Sequence, residues 1–426
     1  MNGDAGLDSS SIVRIWMMTT IMHSIPIILI GIFAFSILLN VALNNFIIYS
    51  QILLIYFVLA GSKITLSLAQ KSFEIYGLNI YFSDLIILVN LTLLFLSKKP
   101  NKKKSFRQNP KTIWFFLILT TSGIVFWSLG NGVKPGWNNW RIYMLSFTLF
   151  LVAQRQSFYF NDERIKNVFL LPLFLILVLL YSYVIQFGLG TAEDTNLTTG
   201  SSLGRPITAS GALIIMFSFF YYLSSSKITV SVSFILTMCL VSIIIVQHRS
   251  VWLATLGGVI SWVIGSKRNS IASSKIFSLI LLGLFTLATY LSVSQLRISS
   301  KSTNTLEWRF TRWVDSFKVS RSNLEWILGA VFGPTPVQRQ EGPEFKVFAH
   351  NAYVATIESF GIVGFLLLIA FLISRFESRS EHIYSVSSNM FLISAFIFGF
   401  FYWIEPSYWL ILGIYSASSL QLHPEQ

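Results

Sequence analysis

Apolar residues in this chain neither alternate nor return at every third or fourth place; they run on without interruption. The longest runs lie at 167–187, 228–246, 276–293 and 353–373. Each approaches the about 20 residues that a helix needs to cross a hydrocarbon core. Strands of a membrane barrel would be shorter and would alternate, so the pattern predicts helices. Further spans are expected at 24–42, 46–66, 78–97, 112–129, 140–154, 207–223, 251–265, 386–404 and 407–421. The fold class expected is all-α and polytopic, with about 12 transmembrane helices.

Charge fixes the direction of these spans. Lys98, Lys99, Lys102, Lys103, Lys104, Arg107 and Lys111 crowd into one segment between two apolar runs, which the positive-inside rule places in the cytoplasm. Reversing sides at each later span brings Arg155, Arg164, Lys166, Lys227, Lys267, Arg268, Lys275, Arg375 and Arg379 to the same side. That agreement supports the register independently. The opposite face receives 130–139, 188–210, the turn 247–250, the long segment 295–349 and the Glu405–Pro406 turn. Three runs precede Lys98, so the side of the N-terminus stays open. Four parts result: N-terminal spans with the basic loop (1–111), a bundle with arginine-bearing loops (112–294), a long outer loop (295–350) and C-terminal spans (351–426).

Composition agrees with the pattern. The 426 residues are 54% hydrophobic and 12% charged, against about 25% charged in a soluble domain. No basic stretch followed by a small-residue cleavage site opens the chain, so the first helix is expected to be its own anchor. The single cysteine, Cys239, lies inside an apolar run and excludes an internal disulfide. The basic segment carries no interleaved aromatics and reads as a topology anchor beside anionic headgroups, not as a nucleic-acid surface.

Chemistry is expected on the outer face. Arg205 opens a span within Gly204-Arg205-Pro206-Ile207, and Arg249 sits in the short turn Gln247-His248-Arg249-Ser250. An arginine at a span's edge is either a functional group or a side chain snorkelling to the interface. Convergent guanidinium groups suit a diphosphate, whose oxygens they grip in pairs. His350 directly precedes a helix, where the positive end of the dipole favours a neutral imidazole able to accept a proton. A helix cap is the plainer reading for it, and His248 is a weaker competitor. In the long loop, Leu306, Phe310, Trp313 and Phe317 share one helical face while Arg309 and Arg312 share another, as in a helix lying on a membrane surface. Clustered histidines and carboxylates with metal spacing are missing from the outer face, where Glu341 and Glu344 form an isolated pair, so neither metal nor cofactor is expected.

Taken in order, these elements resemble the bacterial O-antigen ligases and the related O-antigen and exopolysaccharide polymerases. His350-Asn351, nine residues, then Gly361-Ile362-Val363-Gly364 is similar to the ligase signature of His, a small polar residue and a later Gly-x-x-Gly. Arg309 to Trp313 followed by Leu328-Gly329 resembles the family's Arg-x-x-x-Trp and its glycine. Gln247 to Ser250 resembles its Ser-Arg-Ser turn, with His248 in place of a small residue, and Gly204 to Gly211 its arginine-bearing segment. The likeness spans about 188–374.

The resemblance implies a C-type membrane glycosyltransferase in the bacterial inner membrane, metal-independent and inverting, with its active site facing the periplasm. Its donor would be an undecaprenyl-diphosphate-linked glycan. Arg205, Arg249 and His350 are the implied catalytic residues; Arg309, Arg312, Asn351 and Tyr353 are the implied substrate contacts. A ligase would use lipid A core as acceptor, a polymerase a second lipid-linked glycan, and the His350 signature favours the ligase. A flippase or other transporter is the competing class, which predicts ionisable residues at mid-membrane depth.

Overall fold

The structure is a computed structural model. It describes residues 30–60, 73–75, 78–96, most of 113–121, 133–157, 160, 162–187, 207, 209–224, 229–246, 249–265, most of 310–318, 322–329, 337–338, 345–346, 351–375, 383–400 and 405–418.

Helices dominate these residues. In chain order they are α1 (Ile30–Asn44), α2 (Phe46–Ala60), α3 (Phe82–Leu96), α4 (Val133–Gln156), α5 (Asp162–Phe187), α6 (Ala209–Leu223), α7 (Val230–Ile245) and α8 (Arg249–Gly265). After the long loop come α9 (Asn323–Leu328), α10 (Ala352–Ile373), α11 (Ile383–Gly399) and α12 (Pro406–Ser418). The segment within 113–121 is also helical where described. Among the described residues α5 and α10 are long and apolar enough to cross a membrane alone, and seven other helices are apolar but shorter. Pro172 sits inside α5. Neighbouring helices tolerate such a proline in a bilayer because they re-satisfy the carbonyl it frees.

Three features depart from the sequence expectation. α4 begins at Val133, two turns before the expected 140, so the connection at 130–139 is largely helix. Two short antiparallel pairs occur in connections: β1 (Phe73–Ile75) with β2 (Leu78–Ile80), and β3 (Val337–Gln338) with β4 (Phe345–Lys346). Pairs this short satisfy each other's backbone groups locally and leave no periodicity to read. Finally, α10 is bent at Gly361, whose φ of 66° and ψ of −173° are not helical. The expected span 276–294 lies outside the described residues.

Polar contacts fix the relative directions of the helices. Tyr49 near the start of α2 donates to Asn90 Oδ1 in the second half of α3 at 2.9 Å, so these two run antiparallel. Gln51 Nε2 donates to the Asn167 carbonyl at 2.6 Å, so α2 and α5 begin at one end. Arg155 Nη1 donates to the Leu94 carbonyl, uniting the ends of α4 and α3 there, and Arg375 stacks over Phe371 and reaches Phe150 of α4. Arg155, Arg164, Lys166 and Arg375 therefore share this basic end, the arrangement the charge pattern predicted.

Small residues let the helices approach. A Cβ added at Gly258 of α8 would stand 2.4 Å from Ser394 Oγ of α11 and 2.5 Å from Phe220 of α6. At Gly413 of α12 it would stand 2.6 Å from the Phe150 carbonyl of α4. Without a hydrophobic drive between helices in lipid, such close backbone approach and the hydrogen bonds it permits hold a bundle together. Ser394 supplies one, donating to the Ala254 carbonyl at 2.7 Å.

Candidate active site

The end opposite the basic one gathers the starts of α6, α8, α10 and α12. Ser210 in the first turn of α6 donates to Glu405, the residue before α12, at 3.3 Å. Near the start of α10, Tyr353 donates to the Phe396 carbonyl at the end of α11 at 2.6 Å. Antiparallel packing of α8 on α11 through Gly257 and Gly258 brings the start of α8 to the same end. Four helix N-termini thus face one side, each bringing the positive end of its dipole.

Each predicted residue takes a definite place or none. Asn351 is the N-cap of α10: only 3% exposed, its Oδ1 accepts from the Tyr353 and Val354 amides at 2.9 and 3.1 Å. That capping role accounts for an amide beside the histidine in the sequence. Tyr353 is packed among Phe365, Phe396 and Phe400, and its hydroxyl is committed to Phe396. Gly399 leaves the room, since a Cβ there would meet the Tyr353 hydroxyl at 3.1 Å. Arg249 is the first residue of α8. The start of α8 is tied to α7 by Trp252, which donates from Nε1 to the Ile243 carbonyl at 2.7 Å. Arg205, Arg309, Arg312 and His350 lie outside the described residues; Arg205 is five positions before Ser210, and His350 directly precedes the Asn351 cap.

The loop's glycine meets the Gly-x-x-Gly motif in space. α9 is closed by a capping box between Ser322 and Glu325 and ends on Gly329. A Cβ on Gly329 would fall 2.4 Å from the Phe360 nitrogen; one on Gly361 would fall 2.3 Å from the Ile327 oxygen. Both residues adopt φ near +66° to +82° with ψ near 180°, a region essentially confined to glycine. The end of the long loop is therefore locked, backbone against backbone, onto the bend of α10. Beyond the bend, Gly364 passes beneath Phe360, where a Cβ would lie 2.2 Å from the Phe360 Cβ. Phe317 stacks on Trp326 with centroids 6.1 Å apart, joining the helical part of 310–318 to α9. Phe310, Val314, Phe317, Leu324 and Ile327 stay exposed.

Sequence reasoning missed two groups. Arg141 of α4 is 8% exposed and bonds Asp84 of α3 through Nε at 2.5 Å. Its guanidinium lies 4.4 Å over the Tyr81 ring, and Asp84 also accepts from the Tyr81 amide. The signal was opposite charges near the same ends of two spans separated by the helical segment within 113–121. Glu405 was read as part of a turn, yet burial holds its carboxyl above the usual range, the Ser210 hydrogen bond acting the other way. In the adjoining wall Tyr143 and Ser359 share a 2.5 Å hydrogen bond beside the buried Glu358. Among the described residues no three His, Cys, Asp or Glu side chains gather as a metal site.

These features point to a multi-pass helical membrane protein in which the starts of α6, α8, α10 and α12 gather at one end. Residues 232–369 match the family described as O-antigen ligase. No curated protein matches the chain significantly. The matched segment runs from α7 to within α10 and contains Arg249, Arg309, Arg312, His350, Asn351 and Tyr353, while Arg205 precedes it.

Proposed function

We propose that the chain is a metal-independent, inverting glycosyltransferase of the O-antigen ligase type, moving a glycan from undecaprenyl diphosphate to lipid A core at the periplasmic face of the inner membrane. The observation that carries this reading is the family match at 232–369, which encloses Arg249, the loop arginines and His350. In this reading about 12 spans form a C-type architecture, with the basic end in the cytoplasm.

The glycosyl–diphosphate bond is already activated, so the site has two tasks. It must stabilise the departing diphosphate, and it must remove the proton from the attacking sugar hydroxyl. Arg205 and Arg249 hold the diphosphate as its charge grows, an interaction worth most in the transition state. The helix N-termini add fixed positive potential on the same side. His350 takes the proton as the acceptor oxygen bonds to the anomeric carbon and the diphosphate leaves from the opposite face. Arg309 and Arg312 bring further charge from the long loop. The loop's exposed apolar residues lie against lipid, which includes the donor's prenyl chain. Asn351 serves by capping α10 beneath His350, and Tyr353 by holding α10 to α11.

The test is His350→Ala in a strain lacking its own copy of the gene, with membrane expression verified and surface glycan resolved on gels. Loss of core-attached glycan with accumulation of long lipid-linked polymer is the expected outcome. Single repeat units left on the core would make the protein a polymerase instead. Wild-type glycan would remove His350 from catalysis and return the transporter reading.

A further inference from the structure

The bend in α10 interrupts the backbone inside a helix long and apolar enough to cross a membrane. Gly361 comes nine residues after Ala352, the first residue of α10, which is about 13 Å along the axis at about 1.5 Å per residue. The apolar helix then continues to Ile373. Non-helical backbone at that depth is tolerated only where other protein covers it, since lipid offers its polar groups no partner. On the bundle side the cover is aromatic: Phe360 packs edge-on against Tyr143 of α4 and against Phe116, with centroids 4.8 and 5.0 Å apart. The rest of the cover is the end of α9. Its Ile327 carbonyl lies against Gly361, and Gly329 lies against the Ser359–Phe360 peptide.

α9 makes this contact with its last turn and leaves its side chains outside. None of its residues is buried, and Leu324, Ile327 and Leu328 are 65%, 49% and 42% exposed. Just past the bend on α10, Ile362, Val363 and Leu366 are exposed as well. Because Ile327 touches Gly361, the two sets adjoin, and one apolar surface runs from the span onto the loop. What lies against the exposed face of a membrane span is lipid, so the same occupant continues over α9. Polarity along α9 has a matching direction. Ser322 and Glu325 form the capping box at its start, while Ile327 and Leu328 stand at its end, against the bend. Trp326, stacked on Phe317, stands between, as aromatic residues do at a membrane interface.

We infer that α9 is embedded in the outer leaflet of the membrane, with Leu324, Ile327 and Leu328 against acyl chains, and covers the bend of α10 from the lipid side. The glycine lock therefore sets the depth at which the end of the long loop enters the leaflet. This deepens the proposed function, which lays the loop against lipid; it rests on that membrane placement and not on glycan transfer.

The test uses the full-length protein in vesicles of phosphatidylethanolamine and phosphatidylglycerol. With the buried Cys239 replaced by alanine, spin labels are placed singly at Leu324→Cys and Ile327→Cys, and their collisions with oxygen and with a water-soluble nickel chelate are compared. Leu366→Cys on the exposed face of α10 and Lys318→Cys in the exposed Asp315–Lys318 pair serve as lipid and water references. Labels at 324 and 327 should match Leu366→Cys, with a ratio of oxygen to nickel collisions several-fold above that of Lys318→Cys. A ratio equal to that of Lys318→Cys overturns the proposal. Spin–spin broadening between copies, with both probes excluded, assigns the face to a second copy of the chain and overturns it too. Should the labelled variants fail to fold, the unmutated protein decides: a lipid-borne diazirine should label the peptide 322–329 as it labels 362–373, and no labelling of 322–329 overturns the proposal. None of these readouts involves glycan transfer, so a failed transfer assay leaves the proposal intact and its own failure leaves the transfer assay to be judged separately.

Discussion

Replacing Gly361 with alanine should free the long loop from the bundle without unfolding it. The backbone there is in a region that costs an L residue about 1–3 kcal/mol. The new methyl would also stand 2.3 Å from the Ile327 oxygen, 2.4 Å from its carbonyl carbon and 2.6 Å from the Gly329 nitrogen. These are backbone atoms that no rotamer change can remove, and such overpacking adds about 1–3 kcal/mol. Together about 2–6 kcal/mol falls on one joint, enough to shift its docked fraction by a factor of about 30 or more. Because α10 is packed along its length elsewhere, the joint should yield before the bundle does. Hydrogen–deuterium exchange of peptides covering 322–329 should accelerate, starting with the Gly329 amide that donates to Glu325, while peptides from α4 and α12 keep their protection. Glycan transfer should fall with it, since the loop carries Arg309 and Arg312. Unchanged exchange at 322–329 in a folded variant would refute the backbone-lock reasoning.

Other perturbations probe single interactions. Tyr353→Phe removes one hydrogen bond to the Phe396 carbonyl and should cost about 0.5–1.5 kcal/mol in denaturant titration, with transfer largely preserved; abolished transfer in a folded variant would make the hydroxyl catalytic. Asp84→Ala leaves Arg141 without its carboxylate and should lower stability by about 3–5 kcal/mol, and adding Arg141→Met should recover most of it. An equally unstable double variant would show that the pair does more than balance charge. Burial raises the Glu405 pKa, so its contribution is fully present below the ordinary carboxylate range and is lost as pH rises through the elevated value. Glu405→Gln should therefore melt higher than wild type near neutral pH and lose that advantage toward about pH 4. A difference that does not vary with pH would mean that folding leaves the Glu405 pKa unchanged and would refute the burial account.

Length and sign of the apolar runs and basic loops were enough to lay out this chain. Helix existence depends on a property summed over many residues, and so α2, α3, α5, α7, α8, α10 and α11 fall within a few residues of their expected places. The basic end followed from Arg155, Arg164, Lys166 and Arg375, because the positive-inside rule reads charge per loop and needs no contacts. The resemblance was legible from four short motifs, and the segment 232–369 that matches the O-antigen ligase family contains all of them except the one around Arg205. What escaped depended on partners far apart in sequence. Arg141 and Asp84 are 57 residues apart, and Ser210 and Glu405 are 195 apart. Neither pair has a local signature, since a lone charge looks the same whether paired or snorkelling.

The glycines mark the boundary between what each level decided. The sequence by itself determined that the chain is a helical membrane protein with its polar outer elements in one order, because hydrophobic length and charge asymmetry act along the chain. It displayed Gly329, Gly361 and Gly364 as motif letters without saying what they do. Only the tertiary structure gave Gly361 a bend, Gly329 a seat on that bend, Asn351 its cap and Tyr353 its hydrogen bond from α10 to α11. The necessity of Gly329 and Gly361 comes from the atom standing where each Cβ would be, and that atom belongs to a residue more than thirty positions away.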